Sequence, residues 1–410
     1  MPCNSSIPLP SNHCSGNGMD RRYGWHRRLL VGLLAAWLLS SCAASPAPAV
    51  SAPTPMPGPR VEVLLSGLDN PRGIAIGPDG ELYVAEAGTG YDAVDPQDMT
   101  GKLTVYHDRN GDGDFDDEGE VDRWFSHLPT YNALQFFASR RDEVNGPADV
   151  LLHRDGRVFL SVDGGLDKIA LYEISPDRRI GRNLAGRSNM NSIAFDLEQE
   201  HIYAAASTAN QLYRISLAGE IEELVTFPEL AHGQQAVPAG VAVDPRNGDV
   251  LVALFSGNAR DESTGEYIPF VPGDAKVVRV DPVTGTFRDE ITGLTTVVDV
   301  AIDREGNIYT VELASMYADL LPKLFDLFDP EAPPLHGGYL RFSGKVTLYP
   351  ADGSQPRVLA QGLDMPTNIT IGPAHELYVS VGQGTPGRPI PGPDGPTTIV
   401  GQILRITMEP

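Results

Sequence analysis

One phrase is written six times along this chain, and it constrains the fold more than any other feature. Residues 67–88 read GLDNPRGIAIGPDGELYVAEAG, and residues 362–384 read GLDMPTNITIGPAHELYVSVGQG. Weaker copies lie at 145–165, 189–208, 237–257 and 296–315. In each, an alternating apolar stretch such as Gly73-Ile74-Ala75-Ile76 meets a turn such as Gly77-Pro78-Asp79-Gly80, and a second alternating stretch, Leu82-Tyr83-Val84, follows. That pattern is a strand, a tight turn and a strand. A third β-rich stretch follows every copy (LTVYHD at 103–108, KVVRVDP at 276–282, QILRITM at 402–408), and a fourth follows most.

Four strands in each of six units predict an all-β, six-bladed β-propeller of four-stranded blades. The aligned Pro71, Pro147, Met190, Pro238, Val297 and Pro366 are 76, 43, 48, 59 and 69 residues apart. The shortest spacing is close to a bare blade of roughly 40–45 residues, so the excess elsewhere is inserted loop. A β-solenoid, the alternative, needs shorter and more regular repeats. The last unit stops after its third strand, and RVEVLLSGL at 60–68 matches the fourth-strand pattern of QPRVLAQGL at 355–363. The N-terminal strand 60–68 is therefore expected to pair into the last blade and close the ring, which removes an exposed sheet edge.

The propeller accounts for residues 60–408. Before it, Arg27-Arg28 precede the apolar run LLVGLLAAWLL at 29–39. That run is too short to span a bilayer and suits the core of a signal peptide. It ends in Leu39-Ser40-Ser41-Cys42, which resembles a bacterial lipobox. Residues 1–41 are thus expected to be a leader, with Met19 an alternative start. The resemblance implies cleavage before Cys42 and a lipid on its thiol, so that the exported protein is held at a membrane facing the periplasm or cell exterior. Residues 42–59 supply the lipidated cysteine and a Pro/Ala/Ser tether. All three cysteines (Cys3, Cys14 and Cys42) lie in this region, so the propeller itself has no disulfide and no thiolate chemistry. A formal net charge of −23 argues against a nucleic-acid partner, which needs a basic footprint.

DRNGDGDFDDEGE at 108–120 falls between the third and fourth strands of the first blade. Asp108, Asn110, Asp112, Asp114 and Asp116 take positions 1, 3, 5, 7 and 9 of an EF-hand-type calcium loop, and Gly113 takes the turn at 6. Position 12 is Gly119, so Glu118 or Glu120 must substitute. A structural calcium ion is the expected cofactor, because close carboxylate pairs repel by about 1 kcal/mol each in water.

In a propeller the 2–3 loops and the blade-to-blade connections share one face. The long insertions (88–101, 129–145, 258–274, 314–343 and 384–400) all belong to that set, which marks the working face. The 314–343 insertion carries Met316, Leu320, Leu321, Leu324, Phe325 and Phe328, a candidate lid. At the channel mouth the alignment puts Asp149, Asp299 and Asn368 at one level, with Gly73, Ser192 and Gly240 as equivalents. It puts Glu86 and Glu312 at second-strand ends, and Asn145 and Asp69 ahead of two first strands. Converging carboxylates there are candidates for a second divalent ion or for acid–base work; the competing role is capping strand-end amides.

SGLDNPRGIAIGPDGELYVAEAG and AKVVRVDP, with the inserted 2–3 loops, resemble the ScyD/ScyE family of NHL-like propeller proteins over residues 60–408. Gluconolactonase-like and sugar dehydrogenase propellers share the phrase more loosely. The resemblance implies an exported propeller and carries no catalytic residue onto this chain. Two function classes follow: a ligand- or partner-binding scaffold, which is favoured, and an enzyme using the axis. The enzyme is either a metal-assisted lactone or ester hydrolase or a quinone-dependent sugar dehydrogenase, the latter disfavoured by sparse Lys and Arg at the channel positions.

Overall fold

The computed structural model describes residues 58–90, 99–115, 117–132, 142–165, 168–257, 259–260, 267–268, 271–316, 326, 328–329, 331, 335–336 and 339–408. The leader, Cys42, nearly all of the tether, Asp116 and residues 317–325 of the candidate lid lie outside these. Among the described residues there is no helix. Six four-stranded antiparallel sheets form a six-bladed β-propeller.

Blade 1 runs outward through Pro71–Ile76, Leu82–Glu86, Gly101–Tyr106 and Val121–Leu128. Blades 2 to 5 repeat this order, starting from Pro147–Leu152, Met190–Phe195, Pro238–Val243 and Val297–Ile302. Blade 6 contains Asn368–Ile371, Leu377–Val381 and Gly401–Thr407, and its outermost strand is Arg60–Leu68. Arg60 pairs with Thr407 and Leu68 with Gly401, so the two ends of the domain close the ring, as the missing last strand required.

The chain's apolar pattern explains where the core lies. Second strands are sandwiched between neighbouring blades and are apolar on both faces; Val250–Leu254 is buried at every position. Fourth strands are largely exposed, as in Phe287–Leu294, where Ile291 and Leu294 alone are buried. The core is consequently a ring of inter-blade clusters. At the closing seam Leu65, Leu68, Ile74, Leu82, Val84, Tyr106, Tyr378 and Ile403 pack with Phe115, which the acidic 108–120 loop folds inward. Burying one such side chain contributes roughly 1.5–3 kcal/mol.

The insertions on the working face carry their own two-stranded ribbons. These are Tyr131–Asn132 with Val144–Asn145, Ala259–Arg260 with Tyr267–Ile268, Leu335–His336 with Tyr339–Leu340, and Pro389–Gly392 with Gly395–Thr398.

Candidate functional site

The innermost strand of each blade is a sheet edge, and its inward N–H groups have no strand partner. Each of these strands starts at the working face, and one level holds the third residue of the strand in blades 1 to 5 and the first in blade 6: Gly73, Asp149, Ser192, Gly240, Asp299 and Asn368. In blades 1 to 5 the pairing with the second strand is irregular at this level. Side chains from the neighbouring blade satisfy the N–H groups freed there. Asp149 Oδ2 accepts the N–H of Ile193 at 2.8 Å, and Ser192 Oγ accepts that of Val241 at 3.2 Å. Asp299 Oδ2 accepts the N–H of Ile369 at 2.9 Å, and Asn368 Oδ1 accepts that of Ile74 at 3.2 Å.

The two glycines supply nothing, and the aspartate of the following blade covers for them. Asp149 Oδ1 accepts the N–H of Val150 at 2.9 Å, and Asp299 also accepts that of Val300. Around the ring the belt thus reads Gly–Asp–Ser and then Gly–Asp–Asn. The glycines leave space for this geometry, since a Cβ on Gly73 would lie 2.6 Å from Asp149 Oδ1 and one on Gly240 2.5 Å from Asp299 Oδ1. Asn368 Nδ2 also donates to Asp299 Oδ2 at 2.9 Å. Burial pushes Asp149 up to about 6 against the pull of these donors. Burial, then the charge of Asp149, pushes Asp299 well above the usual carboxylate range.

The structure brings Asp149, Asp299 and Asn368 into this belt and leaves Glu86 and Glu312 outside it. Glu86 lies in the seam between blade 1 and the closing strand, lining a cavity of about 510 Å³ with Val63–Leu68 and Lys102. It accepts the N–H of Asp69 at 2.9 Å and the hydroxyl of Thr104 at 3.2 Å, with Lys102 Nζ 3.7 Å away. Glu312 repeats the arrangement in blade 5, accepting the N–H of Thr295 at 2.7 Å and pairing with Lys345 at 2.9 Å. Asp69 faces Lys102 at 2.5 Å. A divalent ion on the axis would need carboxylate oxygens free to coordinate it, and the oxygens of this set are engaged by N–H groups and lysines. Among the described residues the belt offers two carboxylates, each already accepting N–H groups, fewer open oxygens than a hard cation takes from a protein site.

Strand alternation explains the different phase of the glutamates, because successive side chains point to opposite faces. Val162 occupies the place of Glu86 in blade 2, and the next residue, Asp163, enters the mouth. Its Oδ2 accepts from Asn189 Nδ2 at 2.7 Å and from the Tyr131 hydroxyl at 3.5 Å, and its Oδ1 from the N–H of Gly165 at 3.3 Å. Burial pushes Asp163 up to about 6 against the charge of Arg72. Arg72, one residue before the belt, donates from Nη1 to Asn145 Oδ1 at 3.0 Å. Asp163 and Arg72 were absent from the sequence-derived set. The signals that point to them are the one-residue offset beyond Val162 and the single cation among Arg72, Ala148, Asn191, Ala239, Val298 and Thr367 at that register.

A buried ionic network ties the insertions together on this face. Arg388 Nη1 meets Asp142 Oδ2 at 2.9 Å with both side chains fully buried, and Thr385 donates its hydroxyl to Asp142 Oδ1 at 2.6 Å. Arg341 pairs with Asp364 at 2.5 Å and donates to the carbonyl of Gln383 at 2.8 Å. Gln383 Nε2 reaches the carbonyl of Val144, and Asn70 Oδ1 accepts the N–H of Gly384, each at 2.7 Å. Loops of blades 5 and 6 are thereby tied to the starts of blades 1 and 2.

On the opposite face, the 108–120 loop curls around its own acceptors. Asp108 takes the N–H groups of Gly111 and Gly113 at 2.6 and 3.0 Å, and Asn110 Oδ1 that of Asp112 at 2.9 Å. The buried Glu120 accepts the N–H groups of Arg109 and Asp117 at 2.8 and 3.2 Å. Carboxylate oxygens of Asp112, Asp114 and Asp117 lie within 4.8 Å of one another, a set of hard oxygen donors that suits a cation such as calcium. Desolvation, then the charges of Glu120, Asp112 and Asp114, raise the Asp117 carboxyl.

A family profile described as SMP-30/gluconolactonase/LRE-like region matches residues 69–293. No curated protein matches the chain in sequence. Solved structures to which the chain is similar include a gluconolactonase from Xanthomonas campestris, 12% identical, covering 86% of this chain and 90% of that one at a TM-score of 0.48. Virginiamycin B lyase from Staphylococcus aureus is 11% identical, with 86% and 99% covered at 0.47. A putative oxidoreductase (glucose dehydrogenase) from Thermus thermophilus is 16% identical, with 85% and 100% covered at 0.44.

Proposed function

The chain belongs to the SMP-30/gluconolactonase/LRE-like propeller family, and we propose that this member is an exported, lipid-anchored binding propeller of the ScyD/ScyE type. Its insertion-bearing face takes a small ligand or a protein partner at the channel mouth. One observation carries the preference for binding over metal-assisted hydrolysis. Asp149 and Asp299, the axial carboxylates, use their oxygens to accept N–H groups of their own and the following blade. A hydrolase of the metal-assisted class needs those oxygens for the ion.

The lipid on Cys42 holds the propeller at the membrane, and calcium in the 108–120 loop staples blade 1 by fixing the segment that carries Phe115 into the closing seam. Calcium added to chelator-treated protein is expected to raise the melting temperature, and Asp112→Ala to remove the shift; no shift in the parent protein would sink the staple.

The functional test uses the full exported chain purified in detergent. Lactones and carboxylic esters are offered with calcium, magnesium, manganese or zinc. No metal-dependent turnover is expected. Turnover that needs an added divalent ion, and that disappears in Asp149→Asn and Asp299→Asn proteins still folded at the assay temperature, would establish the hydrolase alternative instead.

A further inference from the structure

Four arginines are buried among the described residues: Arg72, Arg279, Arg341 and Arg388. Three of them touch carboxylates. Arg279 meets Asp244 at 2.7 Å and Glu290 at 2.8 Å, Arg341 meets Asp364 at 2.5 Å, and Arg388 meets Asp142 at 2.9 Å. Arg72, 9% exposed, has no described carboxylate within ion-pair distance; its hydrogen bond goes to the neutral Asn145 Oδ1. A guanidinium carries five N–H donors and stays charged at any physiological pH. Taking such a charge out of water without a contacting counter-ion is costly. The fold places this guanidinium at the mouth of its channel, on the face that carries the insertions.

We propose that Arg72 is the anion-binding element of this mouth and takes the carboxylate group of a small organic monoanion. The inference rests on the binding reading above and gives its ligand a chemical class. A planar guanidinium matches a carboxylate through two parallel hydrogen bonds. Asp149 and Asp163 lie close enough for the charge of Arg72 to act on both, though out of contact with it. Their field opposes every added negative charge, so a ligand whose single charge the one guanidinium can match fits better than the divalent form of inorganic phosphate. Asn145, already bonded to Arg72, sits on the ribbon that closes this side of the mouth and is placed to hold a polar group beside the carboxylate.

The test titrates acetate, lactate, benzoate and inorganic phosphate into the full chain in detergent at constant ionic strength, reading melting temperature and calorimetric heat. At least one carboxylate should give a saturable rise, with phosphate weaker. Arg72→Met should abolish that rise and leave ligand-free melting unchanged or higher, whereas Arg72→Lys should weaken binding roughly tenfold, as loss of the two-point contact implies. Asn145→Asp, which supplies the missing counter-ion inside the protein, should raise ligand-free melting and also remove the response. No saturable response to any carboxylate overturns the proposal. So does an undiminished response in Arg72→Met or Asn145→Asp. An Arg72→Met protein that melts lower but responds normally would make Arg72 a counter-ion for Asp149 and Asp163, and that too overturns it. Failure here leaves the broader binding reading intact through a protein partner, whereas metal-dependent turnover would remove that reading.

Discussion

Asp299 in blade 5 accepts the backbone N–H of Ile369 in blade 6 at 2.9 Å. The same carboxylate takes the N–H of Val300 and the amide of Asn368. Its role is to join two blades at their innermost edges, where no strand supplies acceptors. Asp299→Ala leaves buried donors unpaired at about 1–3 kcal/mol each, so a loss of about 2–4 kcal/mol is expected in urea denaturation. Asp299→Asn keeps one acceptor oxygen and should lose less than half as much.

The glycines of the belt are sized to these aspartates. Gly240→Ala places a methyl group 2.5 Å from Asp299 Oδ1, and overpacking of this kind costs about 1–3 kcal/mol. Gly73→Ala should behave alike against Asp149. Gly181→Ala, whose Cβ would meet nothing closer than 3.5 Å, should stay within about 0.5 kcal/mol of the parent. Equal losses at all three sites would deny the belt its steric role.

Acidification should first stabilise this propeller. Asp149 and Asp163 are pushed up to about 6 by burial, above the roughly 3.9 of an unfolded aspartate. Between those values the native state binds more protons, so stability rises as pH falls through this range. Arg157 holds Asp155 and Arg246 holds Asp244 well below the usual range. Stability from those two pairs is present above about pH 4 and is lost as pH falls through their lowered values. Melting temperature measured from pH 3 to 8 should therefore peak between about 4 and 6. Asp163→Asn should flatten the alkaline side of that peak, and a monotonic rise to neutrality would contradict the assignment.

The pair between Asp142 and Arg388 predicts strong asymmetry between single and double substitutions. Asp142→Ala removes the carboxylate that contacts a fully buried guanidinium, and losing one partner of such a pair costs about 3–5 kcal/mol. Replacing both with Leu and Met should recover most of that loss, as read from a denaturant midpoint. A double variant no better than the single one would mean that the pair does not act as a unit.

Much of the frame was legible in the sequence because strand, turn and strand repeat in fixed phase. The count of blades and the return of Arg60–Leu68 to blade 6 follow from that phase alone. Asp149, Asp299 and Asn368 could be placed at one level for the same reason. What these side chains bond to was not legible. Their partners are backbone N–H groups of other blades, such as Ile193 for Asp149, and a backbone group leaves no mark in the composition. Glu86 and Glu312 stand at strand ends like axial residues, but the two-residue alternation turns them toward Lys102 and Lys345. Arg72 is a single cation beside a belt of carboxylates, and its significance depends on having no described acid in contact, which a sequence does not record. The Asp142–Arg388 pair joins loops that share no repeat, so no internal alignment could bring its members together.

Whether the axial aspartates hold backbone or metal decides between binding and hydrolysis, and manganese-soaked crystals read by anomalous scattering test this most directly. The expected map has no peak between Asp149 and Asp299, with both carboxylates still accepting the N–H groups of Ile193 and Ile369. A manganese peak within roughly 2.0–2.6 Å of either carboxylate, the range of hard-cation coordination, would contradict it.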